Sequence, residues 1–223
     1  MPVETRSSDS LLKKGEEVIH ESSELLQGRV PGKEDDPDYS LGHPIHPATV
    51  HFPITFLTVS MGIASLDLLP LSIYPTSILP PRSTLSTIGF YAAGAGVISA
   101  LPAIITGAGE AYELIRKEYL EKGKNWNQVI DSAWNMKDTG GRKIKMTIKH
   151  ASMNDMVVAL AAYNWYRGWY FPGEPLPQIT NILNAIALPA LMYSAMLGGR
   201  LVYEYAMGIQ RQGHGKEVKE KEQ

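Results

Sequence analysis

The sequence predicts an all-α protein: a four-helix transmembrane bundle with an N-terminal amphipathic helix and an interfacial helix in its central loop. Three observations carry this. Residues 48–69, 86–114 and 177–205 form apolar runs long enough to cross a hydrocarbon core of about 30 Å. Both ends of the chain are strongly polar, which brings the mean hydropathy down to an ordinary −0.13. Segments 1–49, 113–149 and 206–223 carry five, nine and four of the 21 Lys/Arg residues, so four crossings would gather nearly all of the positive charge on one face. The expected organisation is a polar tail over 1–40, a membrane domain over 41–209 and a second polar tail over 210–223.

In the first tail, Leu11, Val18 and Leu25, and again Leu12, Ile19 and Leu26, recur at seven. That spacing predicts an amphipathic helix over 10–27, open to three readings: pairing with a protein partner, lying on the bundle, or standing as a short solvated helix. "VPGKEDDPDYS" follows as an acidic, proline-containing linker. No apolar segment follows Met1, so a secretory signal is not expected, and the acidic residues argue against a presequence.

The first span, 48–69, has a single charge, Asp67, near its far end. The second, 86–114, is rich in Gly and Ala, residues that let helix backbones approach closely in lipid. The third, 150–171, is flanked by Asp155 and Arg167 and depends on "MVVALAAYNWY" for its apolar character. Tyr163, Trp165, Tyr166, Trp169 and Tyr170 suit an aromatic belt at a membrane interface. The fourth, 177–205, contains Pro189, a natural kink position. In the loop before the third span, Trp126, Val129, Ile130, Ala133 and Trp134 share one helical face, which predicts an interfacial helix. "DTGGRK" then reads as a glycine turn. The charge distribution places both termini on the cytoplasmic (or matrix-like) side.

Traced through that topology, the polar residues meet at one level. His46 and His51 open the first span, and Glu110 closes the second. His150 and, one turn on, Asn154 open the third. Arg200 and Glu204 close the fourth. Ionisable groups near hydrocarbon are costly, so their convergence marks a candidate site. His51 and His150, with His46 beside them, are candidate ligands of haem b. His51, His150, Glu110 and Glu204 together suit a transition metal. His43, Asn154 and Arg200 read as supporting residues. The same residues also read as a purely structural network, since Arg200 and Glu204 at i, i+4 make an ordinary ion pair. A proton or ion pathway is disfavoured by the apolar middle of each span, Asn164 and Asn184 lying towards the outer half. His20 and His214 sit in polar tails and read as solvated. Asp67 and Arg167, both near the outer face, are a candidate pair.

Other chemistry is excluded more firmly. The chain has no cysteine, so disulfides, thiolate metal sites and a cysteine nucleophile are absent. A formal net charge of −2 gives no reason to expect nucleic acid as a partner. No P-loop, dinucleotide fingerprint, nucleophile elbow, HExxH or zinc-finger spacing occurs.

The stretch "GHPIHPATVHFPI" resembles the opening motif of the small membrane proteins grouped as domain of unknown function 2231. "GAGE", "HASMN" and "GGRLVYEYAMGI" resemble the segments that in that family close the second span, open the third and close the fourth. The resemblance covers about residues 41–209 and implies four spans, without implying an activity or a cofactor. This chain departs from the pattern in its long 115–149 insertion and its polar tails. Within the motif, Pro44 and Pro47 are expected to hold His43 and His46 in extended geometry outside the helix. Pro47 suits a first turn, and Pro53 is expected to release the Thr49 carbonyl.

Overall fold

A computed structural model describes residues 13–22, 45–116, 139–205 and 207. Among them there is no strand. Residues 13–22 are helical (α1), followed by α2 (Ile45–Thr49), α3 (His51–Leu66), α4 (Arg82–Arg116), α5 (Thr139–Tyr170) and α6 (Gln178–Tyr203). The interfacial helix expected over 126–134, the acidic linker, His43, His214 and the C-terminal tail lie outside the described residues.

The break between α2 and α3 falls at Val50. Pro53 has no N–H to return to the Thr49 carbonyl, so the ladder restarts with Ile54 N–H on Val50 O at 3.2 Å. One expectation is corrected here, because His46 lies inside α2 and not in extended chain. Pro47 sits in the first turn of α2, where a missing N–H costs nothing. A second correction concerns "DTGGRK": Thr139, Gly140 and Gly141 already belong to α5. Their N–H groups belong to a first turn, which has no helical acceptors to satisfy.

Three helices are long and apolar enough to cross a membrane: His46–Leu66, Arg82–Arg116 and Gln178–Tyr203. Pro102 and Pro189 lie inside continuous helices. At 32 residues α5 is ~48 Å long and not short of a crossing. His150, Asn154, Asp155, Asn164 and Arg167 lower its hydropathy, which keeps it out of that set. Along the three apolar helices many large side chains point outward, among them Phe52, Ile98, Leu101, Ile105, Ile179 and Ile186. That is the pattern of a surface solvated by lipid.

The chain forms two compact units. One comprises Met1–Ala48, Ile104–Ile144 and Tyr205–Gln223, the other Thr49–Ala103 and Lys145–Glu204. The core of the second consists of Leu57, Met61, Val157, Ala161 and Leu191, with Val97, Ala187 and Leu188 packed against it. Glycines set how closely its helices approach. A Cβ on Gly89 would lie 3.2 Å from Ile63 Cγ2, and one on Gly94 would lie 2.7 Å from Trp165 Nε1. Trp165 therefore packs over α4 and is not part of an exposed belt, whereas Tyr163, Tyr166, Trp169 and Tyr170 are exposed.

The connections in this unit carry their own staples. Between α3 and α4, Tyr74 Oη donates to Pro80 O at 2.6 Å, and the Arg82 guanidinium lies over the Tyr74 ring while donating to Leu69 O. After α5, Gly173 takes a φ of 82°, which an L side chain rarely adopts. Arg167 reaches Glu174 at 3.3 Å and covers the Phe171 ring. Arg167 thus pairs within its own loop. Burial raises the Asp67 carboxyl above the usual carboxylate range, and the Arg82 charge offsets part of that rise.

Candidate functional site

The residues selected from the sequence divide between the two units. In the first, the end of α4 places Thr106, Glu110 and Glu113 at i, i+4 and i+7, all buried on one face. His46 from α2 brings Nδ1 to 3.2 Å from Thr106 Oγ1. Its ring edge rests on Gly107, where a Cβ would come within 2.8 Å of Cε1. The glycine is what admits the imidazole.

A second imidazole reaches the same face of α4 from α1. His20 Nδ1 lies 2.8 Å from Glu113 Oε1, a contact across 93 positions. Arg116 Nη1 lies 3.5 Å from His20 Nε2 and 3.9 Å from Glu113 Oε2. A carboxylate accepts and a guanidinium only donates, so these partners match a ring that donates from Nδ1 and accepts at Nε2. The expectation of a solvated His20 is corrected. Its signal was Glu113, a carboxylate on the inward face of an apolar helix that needs a donor when buried. Replacing it has a readable consequence: Glu113→Leu is expected to raise amide hydrogen exchange across residues 13–22 by about tenfold or more, the scale of one charge-assisted hydrogen bond. Unchanged protection there would show that α1 is held by other contacts.

In the second unit His51 is exposed on the first turn of α3, and its carbonyl accepts from Thr55 Oγ1 at 2.8 Å. His150 is held more closely. Its Nδ1–H donates to the Ser194 carbonyl at 2.8 Å, and Ser194 Oγ lies 3.1 Å from the same nitrogen. Ser194 is fully buried and its hydroxyl donates to the His150 carbonyl at 3.2 Å. Asn154 Nδ2 donates to the His150 carbonyl at 3.0 Å and lies 3.2 Å from Nε2. The outer ring edge meets Gly198, where a Cβ would lie 2.9 Å from Cε1. His150, Asn154 and Ser194 thus clasp α5 to α6.

Arg200 and Glu204 form a bidentate pair, with Nε–Oε1 at 2.6 Å and Nη2–Oε2 at 2.8 Å. Those hydrogen bonds hold the Glu204 carboxyl below the usual carboxylate range. Both side chains are exposed, so the pair contributes little stability. The unit therefore brings His150 together with Asn154 and Ser194, and Arg200 together with Glu204. The sequence does not single out Ser194, and Gly107 and Gly198 appear in it only as members of "GAGE" and "GGRLVYEYAMGI": a serine or glycine on an apolar helix carries no chemical signal until its neighbour is known. Among the described residues, no three His, Asp or Glu side chains are grouped so that they could hold a metal ion.

The arrangement can exchange hydrogen bonds and share charge between helix ends. No curated protein and no solved structure matches the chain. The family described as Predicted membrane protein (DUF2231) matches residues 42–211, a stretch running from the glycine before the first motif histidine to beyond α6. The apolar helices, the histidine-proline entrance and that match agree: the chain belongs to the DUF2231 family of predicted membrane proteins.

Proposed function

We propose that this protein is a four-span membrane scaffold whose histidines fasten helices to one another, with both termini on the cytoplasmic or matrix-like side. The observation that carries the reading is the His150 clasp. Its Nδ1 is committed to a backbone carbonyl, its edge is seated on a glycine, and its neighbours are an amide and a hydroxyl. Such a ring locks two helices in register.

Taking α5 as the fourth span is supported by its length and by charge. An odd number of crossings would split the Lys/Arg of segments 1–49 and 206–223 between the two faces, against the positive-inside tendency. In this reading α1 offers its exposed Val18 and Ile19 to a protein partner.

The competing assignment, haem or metal held by His51, His150, His46, Glu110 or Glu204, would require ligands to gather around Nε2 of His150. One preparation tests both. Because the chain contains no cysteine, single cysteines at positions 8, 121 and 218 can be labelled with an impermeant maleimide in sealed vesicles. All three are expected to react from the same side. The purified protein is expected to show no Soret band and no stoichiometric metal. Labelling of positions 8 and 218 from opposite sides would remove the fourth span, and a cofactor lost on substitution of His150 would overturn the scaffold.

A further inference from the structure

Away from the histidines, a second polar layer lies between α5 and α6. Thr180, Asn181 and Asn184 on α6 and Asn164 on α5 are all more than nine-tenths buried. Three of them form a directional relay. Asn184 Nδ2 donates to the Thr180 carbonyl at 2.8 Å, which turns Asn184 Oδ1 towards α5. Asn164 must then present its nitrogen, and Nδ2 donates to that oxygen at 2.9 Å. The relay leaves Asn164 Oδ1 pointing away, buried and without a hydrogen-bond donor among the described residues. Flipping the Asn164 amide would set two carbonyl oxygens against each other, so the orientation is fixed by the Thr180 carbonyl at the end of the chain.

Asn181 Oδ1 is also buried and meets no donor among the described residues. It precedes Asn184 by three positions, so the two side chains lie on one helix face within reach of each other. Two amide oxygens, on helices joined by the Asn164–Asn184 hydrogen bond, thus each require a donor where bulk water cannot enter. An unmet buried acceptor forfeits its full desolvation cost, and in lipid no solvent relieves it.

We infer that Asn164 and Asn181 hold a buried water molecule between α5 and α6. Water is the smallest neutral species with two donors, one for each orphaned oxygen, and buried waters typically bridge polar groups of this kind. A neutral ligand fits better than a cation, because the four residues of the layer supply no carboxylate to balance a charge. The site stands apart from the His150 clasp and does not rest on the scaffold reading.

The test uses the full-length protein in nanodiscs. Short-pulse radiolytic labelling, in which a bound water generates hydroxyl radical in place, is expected to modify buried residues flanking Asn164 and Asn181. Asn181→Leu should abolish that labelling. It should also lower the thermal midpoint by about 4 °C, because Asn164 is then left without its donor. In an Asn164→Leu background, where the shared water is already gone and Asn181 is the unmet acceptor, the same change should no longer lower the midpoint and should raise it. Asn181→Ser, which keeps an acceptor and leaves room, should retain the labelling. No labelling of the wild-type protein would overturn the inference. So would a midpoint that rises with Asn181→Leu alone, the result expected for an acceptor with nothing bound. A midpoint that depends on Na+ against choline would replace the water with a cation and overturn the assignment as well.

Discussion

His150→Ala is expected to destabilise the detergent-solubilised protein by about 3 kcal/mol and to reduce its abundance in the membrane. The magnitude has two parts. Removing the ring opens a cavity against Gly198, where the imidazole edge now rests. It also removes the donor to the Ser194 carbonyl and the neighbour of the buried Ser194 hydroxyl. Gly198→Ala approaches the same contact from the other side, since its Cβ would stand 2.9 Å from Cε1 and force the ring outward. His150→Gln separates a clasp from a ligand. A glutamine amide can still donate across to α6, so it should recover part of the stability lost in the alanine variant. It would not restore an imidazole-held cofactor. Thermal denaturation of the three variants beside their absorption spectra is the measurement. Wild-type stability in His150→Ala would end the scaffold reading.

Gly96→Val is expected to cost about 3 kcal/mol by prising α3 from α4. A Cβ at Gly96 would lie 2.7 Å from Leu57 Cδ2, 3.0 Å from its Cγ and 3.4 Å from its backbone nitrogen. Leu57 is 2% exposed and belongs to the core cluster, so its side chain has nowhere to retreat. Gly62 supplies the contrast, because a Cβ there meets nothing within 4 Å. Gly62→Ala should therefore keep only the gain in helix propensity, up to about 1 kcal/mol in favour. Two glycines one helix apart thus respond with opposite signs. If Gly96→Val melts with the wild-type protein, α3 and α4 do not approach as closely as Leu57 and Gly96 require.

The histidines show how much of the site the sequence discloses. The motif "GHPIHPATVHFPI" marks an unusual helix entrance, and the depth of His150 at the start of an apolar run marks it as costly. Neither identifies a partner. His46 has Thr106 near it, and His150 has Ser194. Neither Thr106 nor Ser194 is distinguishable on the page from other small residues in apolar helices. His20 lies in a polar segment whose composition says solvent, yet it reaches Glu113. Local pattern describes how a residue would behave on an isolated helix. It carries no information about which face of another helix turns towards it.

The sequence alone determined the helical class, the three apolar helices long enough to cross a membrane, and the family, because hydropathy and motif are local properties that survive without coordinates. Tertiary structure decided which imidazole meets which carbonyl or carboxylate, that Trp165 folds over Gly94, and that two asparagine oxygens are buried without a donor among the described residues. Those outcomes depend on the rotation of each helix about its axis and on close approach at particular glycines. A shift of one residue, about 100° of rotation, would pair every one of these groups differently.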